Sequence, residues 1–236
     1  MLRQDVYKLV DSFAPYSTAE KWDCSGWIVD NQSTTVSKIM FCLTVTDDVY
    51  EQAKKENCDL ILSHHPLFFV PIKFRDVNIL CAHTNLDKAI GGTTDTLIEK
   101  LGLSQYQLQI PAESKNEADE FVRYVTLPKS VAVEDFIKLL RLVSPNLRYV
   151  NNKNVSRIKK IAFCAGSGSE FIPDATSNGA DAYVTGDLKF HTALDSEIVV
   201  FDIGHFESEI LVLNRLKKLL EKQVELIFAK EKSPFL

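Results

Sequence analysis

Five histidines occur in this chain, at positions 64, 65, 83, 191 and 205. All but His191 stand at or just past the C-terminal end of a strand-like apolar run. That is the edge at which open α/β sheets place ligands, because loops and helix N-termini converge there. In residues 60–66 (LILSHHP) a buried strand delivers two adjacent imidazoles, and Pro66 stops regular structure at once. Neighbouring strand residues face opposite ways, so His64 and His65 serve one site only if the backbone turns there or if each reaches a different ion. Two ions fit that geometry. In residues 81–87 (CAHTNLD) a second strand end supplies His83 and, four residues on, Asp87. Asp87 is a candidate ligand, with His83 holding it from behind or assisting proton transfer; the plain structural alternative is that Asp87 caps the following turn. In residues 202–209 (DIGHFESE) a strand end passes through a glycine turn into a helix. His205 and Glu209, four apart, project from one helical face, the spacing by which a helix offers two ligands to one ion.

Taken singly, each segment also reads as an ordinary surface pair or cap; three of them at strand ends favour a shared metal site. The ligand set is then His64, His65, Asp87, His205 and Glu209. Imidazoles with carboxylates suit zinc, iron, manganese or nickel, whereas calcium prefers all-oxygen cages. A bridging Glu209 or Asp87 would let two divalent ions per chain sit about 3.5 to 4 Å apart and share a water whose pKa falls toward neutrality, a hydroxide nucleophile. His83 and His191 are the candidates for moving protons in catalysis. His191 closes residues 185–191 (TGDLKFH), which also offer Asp187 and Lys189 to the same cleft, although Asp187 reads equally well as a helix cap. Residues 164–169 (CAGSGS) follow a strand and open a helix, so their amides could cradle an anion; without the lysine of a phosphate-binding loop, a tight turn is nearly as good a reading.

Positioning these pieces takes alternating strands and helices. Val6, Leu9, Val10 and Phe13 follow helical spacing up to Pro15, and a loop with Trp22, Asp23, Gly26 and Trp27 comes next. Residues 38–45 (KIMFCLTV) and 59–63 (DLILS) read as buried strands joined by a helix that Asp47 caps and that runs to about Asn57. Residues 78–82 are a third strand, followed by a loop over 84–93 that holds Gly91 and Gly92 and then a helix near 94–101. The polar stretch 112–120 (AESKNEADE) is the linker candidate. Beyond it come a strand at 121–127, a helix at 133–142, a strand at 160–164, a helix after Gly168, a strand at 182–185, a helix around His191 and a strand at 198–203. A helix over 206–222 and a strand over 224–229 return to the first half. The pattern predicts an α/β fold of two interlinked units with mostly parallel sheets covered by helices. Residues 1–111 with 206–236 form the first unit and residues 112–205 the second, with the metal cleft between them.

A chain of 236 residues with 45% hydrophobic content buries a core without disulfides. Its five cysteines are odd in number and form no C-x-x-C pair, against both a disulfide framework and a cysteine zinc site. Cys42, Cys81 and Cys164 sit in strand-like runs and read as inert buried thiols. The net charge of −5 comes with scattered basic residues, so nucleic acid is a poor partner. The N-terminus mixes charge into its apolar positions, and no stretch approaches the roughly 20 apolar residues of a membrane span. The expectation is a cytoplasmic protein without a membrane partner.

Six stretches, WDCSGW, LILSHHPLFF, AHTNLDKAIGG, CAGSGS, GADAYVTGDLKFH and DIGHFESE, together resemble the motifs of the family named for the yeast Ngg-interacting factor three, whose members are often called type 2 homologues of GTP cyclohydrolase I. The resemblance spans nearly the whole chain. It implies a two-metal site on His64, His65, Asp87, His205 and Glu209, matching the set reached from spacing. It also implies a homohexamer, a toroidal trimer of dimers with metal sites facing an internal cavity. CAGSGS departs from the family's usual glycine-threonine-glycine turn, which puts an anion-binding role there in doubt. Residues 112–150 are too short for the domain that longer relatives insert between the halves. The variant ending of WDCSGW is expected to affect packing only.

The leading functional expectation is a dinuclear metal-dependent hydrolase of the GTP cyclohydrolase type 2-like kind, acting on a small molecule or nucleotide through a metal-activated water. The alternative is a non-catalytic, metal-stabilised oligomeric scaffold or partner-binding protein. A nucleotide-binding regulator using CAGSGS and the Lys189 region stands third.

Overall fold

The apolar runs that lack polar alternation become the inner parallel strands of two sheets, as burial on both faces requires. The computed structural model describes residues 1–108, 117–221 and 224–235. By contact density the chain divides into Met1–Gly92 with Val212–Leu236, and Thr93–Leu211.

In the first unit the sheet is built from β1 (Gly26–Val29), β2 (Lys38–Cys42), β3 (Leu60–Ser63), β4 (Asn78–Cys81) and, from the end of the chain, β10 (Glu225–Phe228). The strand order is β1-β4-β3-β2-β10, parallel throughout except for β1 against β4. Helices α1 (Arg3–Phe13), α2 (Asp47–Lys55), α3 (Thr84–Lys88) and α10 (Leu213–Leu220) belong to this unit. The Thr46 side chain accepts from the Val49 amide at 3.2 Å, acids fill the first turn of α2 and lysines its last, so cap and macrodipole agree. Val49, Tyr50 and Ala53 then pack with Met40, Ile61 and Ile79.

The second unit begins with α4 (Thr93–Lys100) and α5 (Glu117–Phe121). Its sheet contains β5 (Arg123–Ala132), β6 (Arg148–Val150), β7 (Arg157–Phe163), β8 (Ala182–Thr185) and β9 (Val199–Asp202). The order is β5-β7-β8-β9-β6, with parallel inner strands and antiparallel edges. Helix α6 (Val133–Leu140) covers one face, where Phe136 and Leu140 meet Ile161 and Phe163. Helix α7 (Ile172–Ser177) covers the other, where Ile172 and Ala175 join Ala162 and Tyr183. Helices α8 (Phe190–Asp195) and α9 (His205–Glu209) follow β8 and β9.

The mostly parallel α/β architecture is therefore as expected, and several boundaries are not. Gly26–Val29, expected as loop, is an edge strand, and the short β6 is a second one. Asp47 is the first helical residue of α2 and Thr46 its cap. The loop after β4 winds into α3. Phe121 ends a helix rather than starting a strand, and β5 begins at Arg123. Of the expected linker, residues 112–116 lie outside the described residues, and Glu117 onward is helical. The division after the first β-α-β region falls at Gly92, ahead of that polar stretch. The reason is visible in α4: Leu97 and Ile98 are fully buried with Val125, Ile161 and Phe201, and burying each such side chain is worth about 2 kcal/mol. The helix expected over 206–222 breaks into α9 and α10 around a 3₁₀ turn at Ile210–Val212, where the chain leaves one unit for the other.

Candidate metal centre

Strand β3 carries the first candidates. Its hydrogen-bond ladder continues past Ser63: the His64 amide donates to the Cys42 carbonyl at 3.1 Å and the His65 amide to Leu43 at 2.7 Å. The backbone bends at both residues, so the rings do not diverge to opposite faces; their centroids lie 5.0 Å apart. His83, at the end of β4, completes a group of three imidazoles, 5.3 Å from the His64 ring and 5.8 Å from the His65 ring.

Each ring is oriented through Nδ1. His64 is fully buried, and its Nδ1 lies 2.8 Å from the Ala82 carbonyl. A carbonyl only accepts, so Nδ1 is the donor there and Nε2 is turned toward Asp87. His65 Nδ1 meets the Thr44 hydroxyl at 2.7 Å. His83 Nδ1 donates to Asp23 Oδ1 at 3.0 Å. Metal-binding histidines are held in this manner, with the ring nitrogen away from the ion engaged by an oxygen. Asp87, one turn into α3, places Oδ1 3.5 Å from His64 Nε2. One ligand atom from each of His64, His83 and Asp87 lies within 4.8 Å of the others, so this unit alone contains a group able to hold a metal ion.

Asp23 was not legible as a site residue. Its carboxylate accepts from Cys24 N and Ser25 Oγ, both at 2.7 Å, from Thr84 N at 3.1 Å and from Thr84 Oγ1 at 2.5 Å, besides His83. Burial by itself would raise this carboxyl, but the bonds from His83, Thr84 and Ser25 outweigh it and hold it well below the usual carboxylate range. WDCSGW thus contains a buried anion that grips the end of β4. The only signal in the sequence was an acid between tryptophans, sixty residues from its partner.

In the second unit β9 ends at Asp202, and Gly204 (φ +81°) turns the chain into α9. His205 and Glu209 share one face of α9, with Nε2 2.9 Å from Glu209 Oε2. On its other side His205 Nδ1 meets Asp187 Oδ2 at 2.7 Å. Burial alone would lower this imidazole, but Glu209 and Asp187 outweigh it and push it up to about 9. Two carboxylates hold a proton there as they would hold a metal cation. Asp187 therefore orients His205 rather than serving only as a turn residue.

The CAGSGS turn has a role other than an anion cradle. The Gly166 amide donates to Ser208 Oγ at 2.9 Å and the Gly168 amide to Thr185 Oγ1 at 3.0 Å, so both are already used. Gly166 stands in the left-handed region (φ +69°), and a Cβ there would come within 2.0 Å of Glu209 Oε1. The turn's missing side chain leaves room for the Glu209 carboxylate. His191 is exposed on α8, a helix with no buried residue, with its ring 5.3 Å from Phe190. Among the described residues it is not part of a converging ligand group. Lys189 is exposed as well.

A family model described as Duf34/NIF3 (NGG1p interacting factor 3) matches residues 1–234. The chain belongs to the Duf34/NIF3 family. A relative in Clostridium perfringens, named a GTP cyclohydrolase 1 type 2 homolog, is 35% identical, the alignment covering 100% of this chain and 99% of that one. A Campylobacter jejuni protein of the same name is 27% identical over the same shares of the two chains. Among solved structures, reduced HcgD from Methanocaldococcus jannaschii superposes with a TM-score of 0.82 at 26% identity and 98% coverage of each chain. The Staphylococcus aureus protein SA1388 gives a TM-score of 0.82 at 25% identity, covering 100% of this chain and 99% of that one. The Duf34/NIF3 fold thus extends over the whole of this chain, and no helix among its described residues is long and apolar enough to cross a membrane.

Proposed function

We propose that this Duf34/NIF3 protein is a cytoplasmic metal-dependent hydrolase that binds two divalent ions per chain (zinc, iron, manganese or nickel) on His64, His65, Asp87, His205 and Glu209. The observation that carries the reading is the preparation of the donors. His64 donates through Nδ1 and turns Nε2 toward Asp87, and His205 lies between two carboxylates that favour a positive charge. This donor set of imidazoles and acids fits borderline divalent ions. A bound ion supplies Lewis acidity and a water acidified toward neutrality. The chain's own part is to fix the donors: Ala82, Thr44 and Asp187 orient the rings, and Gly166 leaves the space in which Glu209 lies. The relatives named GTP cyclohydrolase 1 type 2 homologs support a nucleotide or another small molecule with a hydrolysable bond as substrate.

The test pairs elemental analysis of the protein as isolated with a turnover panel of GTP, a phosphodiester and a cyclic amide. About two ions per chain and turnover of one substrate class, lost at least 100-fold in Glu209→Gln, are expected. Metal-loaded protein that leaves the whole panel untouched overturns the hydrolase, and metal content unchanged in Glu209→Gln overturns the ligand set.

A second reading, assembly, has an observation of its own. Directly after the histidine pair, Phe69 is 91% exposed and Ile72 83% exposed, and neighbouring exposed apolar side chains favour an interaction surface. Self-association, up to the expected homohexamer, would cover them. Light scattering on wild type and on Phe69→Asp/Ile72→Asp tests this: a wild-type hexamer that dissociates in the variant supports it, and a wild-type monomer at all concentrations removes it.

A further inference from the structure

We infer that the outer edge of β10 is a docking site for an extended acidic peptide, which joins the first unit's sheet as a further strand and seats one apolar side chain in a cleft beside α2. The inference is independent of the metal reading above and uses none of its residues.

The backbone supplies the first argument. β10 ends the order β1-β4-β3-β2-β10, so one of its edges has no strand beside it. The Glu225 amide donates to the Ser37 carbonyl and the Ala229 amide to the Phe41 carbonyl, both at 2.9 Å. In a parallel pair alternate residues face the partner strand, so Leu226 and Phe228 turn their N–H and C=O groups to the open edge. The next peptide group of that set, at Lys230, is paired as a strand would pair it: Gln52 Oε1 accepts from its amide at 2.8 Å and Gln52 Nε2 donates to its carbonyl at 3.3 Å. A side-chain amide thus closes one position and leaves two. Residues 226–228 (LIF) hold neither proline nor charge, and their register with β2 has no bulge, so the devices that blunt an exposed edge are missing here.

Shape and charge supply the second. Between α2 and β10 lies a cleft of about 280 Å³, with Met40 and Ile227 as apolar walls and Lys55 and Lys230 as cations. It falls below the roughly 300 to 1,000 Å³ of a small-molecule pocket and has room for one side chain. The acids nearby are already engaged. Glu56 and Glu225 pair with Lys38 at 3.3 and 3.0 Å, and Glu231 accepts from the Leu43 and Thr44 amides at 2.8 and 3.1 Å. Lys55 and Lys230 are exposed and have no ion-pair partner among the described residues. Phe228, on the other face from Ile227, has Lys217 Nζ 5.3 Å from its ring centroid. Extended peptides add to open sheet edges through main-chain bonds and take their specificity from pockets for alternate side chains. Carboxylates on such a peptide complement this edge, whereas a second copy of β10 would bring the same lysines to the junction, and like charges oppose that pairing.

The experiment is titration of the full chain with a short fluorescent peptide that alternates glutamate with valine, read by anisotropy and by hydrogen exchange of the backbone amides. The peptide is expected to bind and to slow exchange at Leu226 and Phe228, leaving Ile227, already bonded to β2, unchanged. A version with lysine in place of glutamate is expected to bind about 10-fold more weakly, and added salt to weaken the acidic peptide. Lys55→Glu/Lys230→Glu is expected to reverse that preference, an outcome that partial unfolding does not produce. A peptide N-methylated at every amide keeps its charge, loses its strand bonds and is expected not to bind. Absence of binding, equal binding of the acidic and basic peptides, or binding without protection of Leu226 and Phe228 overturns the inference. So does light scattering in which wild type self-associates and the doubly substituted chain does not, which would make a second copy the occupant of this edge.

Discussion

In the first unit β4 runs out into His83 and, four residues later, Asp87; in the second β9 runs out into His205 and, four residues later, Glu209. Each is the third of three successive parallel strands, and each histidine is held through Nδ1 by an aspartate. The units part company at the middle strand. Strand β3 ends in two histidines, whereas β8 ends at Thr185, followed by Gly186 and Asp187. One unit therefore gathers three imidazoles, two of them with Asp87, and the other gathers two carboxylates around one imidazole. The same topological position is rich in imidazoles in one case and in carboxylates in the other. A carboxylate-rich group favours a cation or a proton, and in the second unit Glu209 and Asp187 push the His205 imidazole up to about 9.

The largest expected effects come from one glycine beside each group. In the first unit a Cβ on Gly92 would lie 1.9 Å from the Leu86 carbonyl oxygen and 2.9 Å from that of Ala89. Backbone cannot step aside, so Gly92→Ala is expected to cost about 3 kcal/mol in a urea melt. In the second unit the obstacle at Gly166 is the end of the Glu209 side chain, which can move. Gly166→Ala should cost less stability, about 1 to 2 kcal/mol including the strained φ, yet lose most of the metal. If Gly166→Ala keeps wild-type metal content while Gly92→Ala unfolds as expected, Glu209 does not need its place and is not a ligand.

A smaller effect sharpens the likeness of the two histidines. Asp187→Asn removes the charged partner of His205 Nδ1 and should weaken metal affinity about 10- to 100-fold with little change in melting temperature, because Asp187 is exposed. An unchanged affinity, measured by chelator competition, would mean that His205 is oriented by α9 alone.

What could be read from the sequence follows the same division. The histidine-bearing strand ends were legible because their apolar runs are continuous and stop at abrupt polar residues, and β8 fell where it was expected, at Ala182–Thr185. The His205–Glu209 pair was legible because both members lie on one helical turn. Asp23 was not, since nothing local marks a carboxylate whose partner is reached only after four more strands have formed. Gly166 looked like part of a possible anion loop, and its relation to Glu209 exists only once α9 packs beside the turn. Edge strands β1 and β6, four and three residues long, have too little pattern to stand out from loop. The break at Gly92 was hidden because α4 has the same amphipathic character whichever core receives it.

The smallest effect tests how deep the likeness runs, at the opposite ends of the strands. Asp59, just before β3, accepts from the Ser37 amide at 2.7 Å and the Lys38 amide at 3.0 Å. Asp181, just before β8, accepts from the Lys159 and Lys160 amides at 2.8 and 2.9 Å. Asp59 thus pins the start of β2, and Asp181 the part of β7 just before its parallel pairing with β8. Burial alone would raise Asp59, but its bonds from Ser37 and Lys38 outweigh that and lower it from the ordinary value of 3.8. A lowered folded value means the stabilisation is complete above the unfolded pKa and is lost as pH falls through the folded one. Since both sites are partly open to solvent, Asp59→Ala is expected to cost only about 1 kcal/mol at neutral pH. That difference from wild type should shrink in melts taken at progressively more acid pH, below the ordinary carboxylate range. Asp181→Ala is expected to cost a similar amount at neutral pH. An Asp59→Ala penalty that does not shrink in acid would show that the shape of the side chain, and not its charge, holds β2 in register.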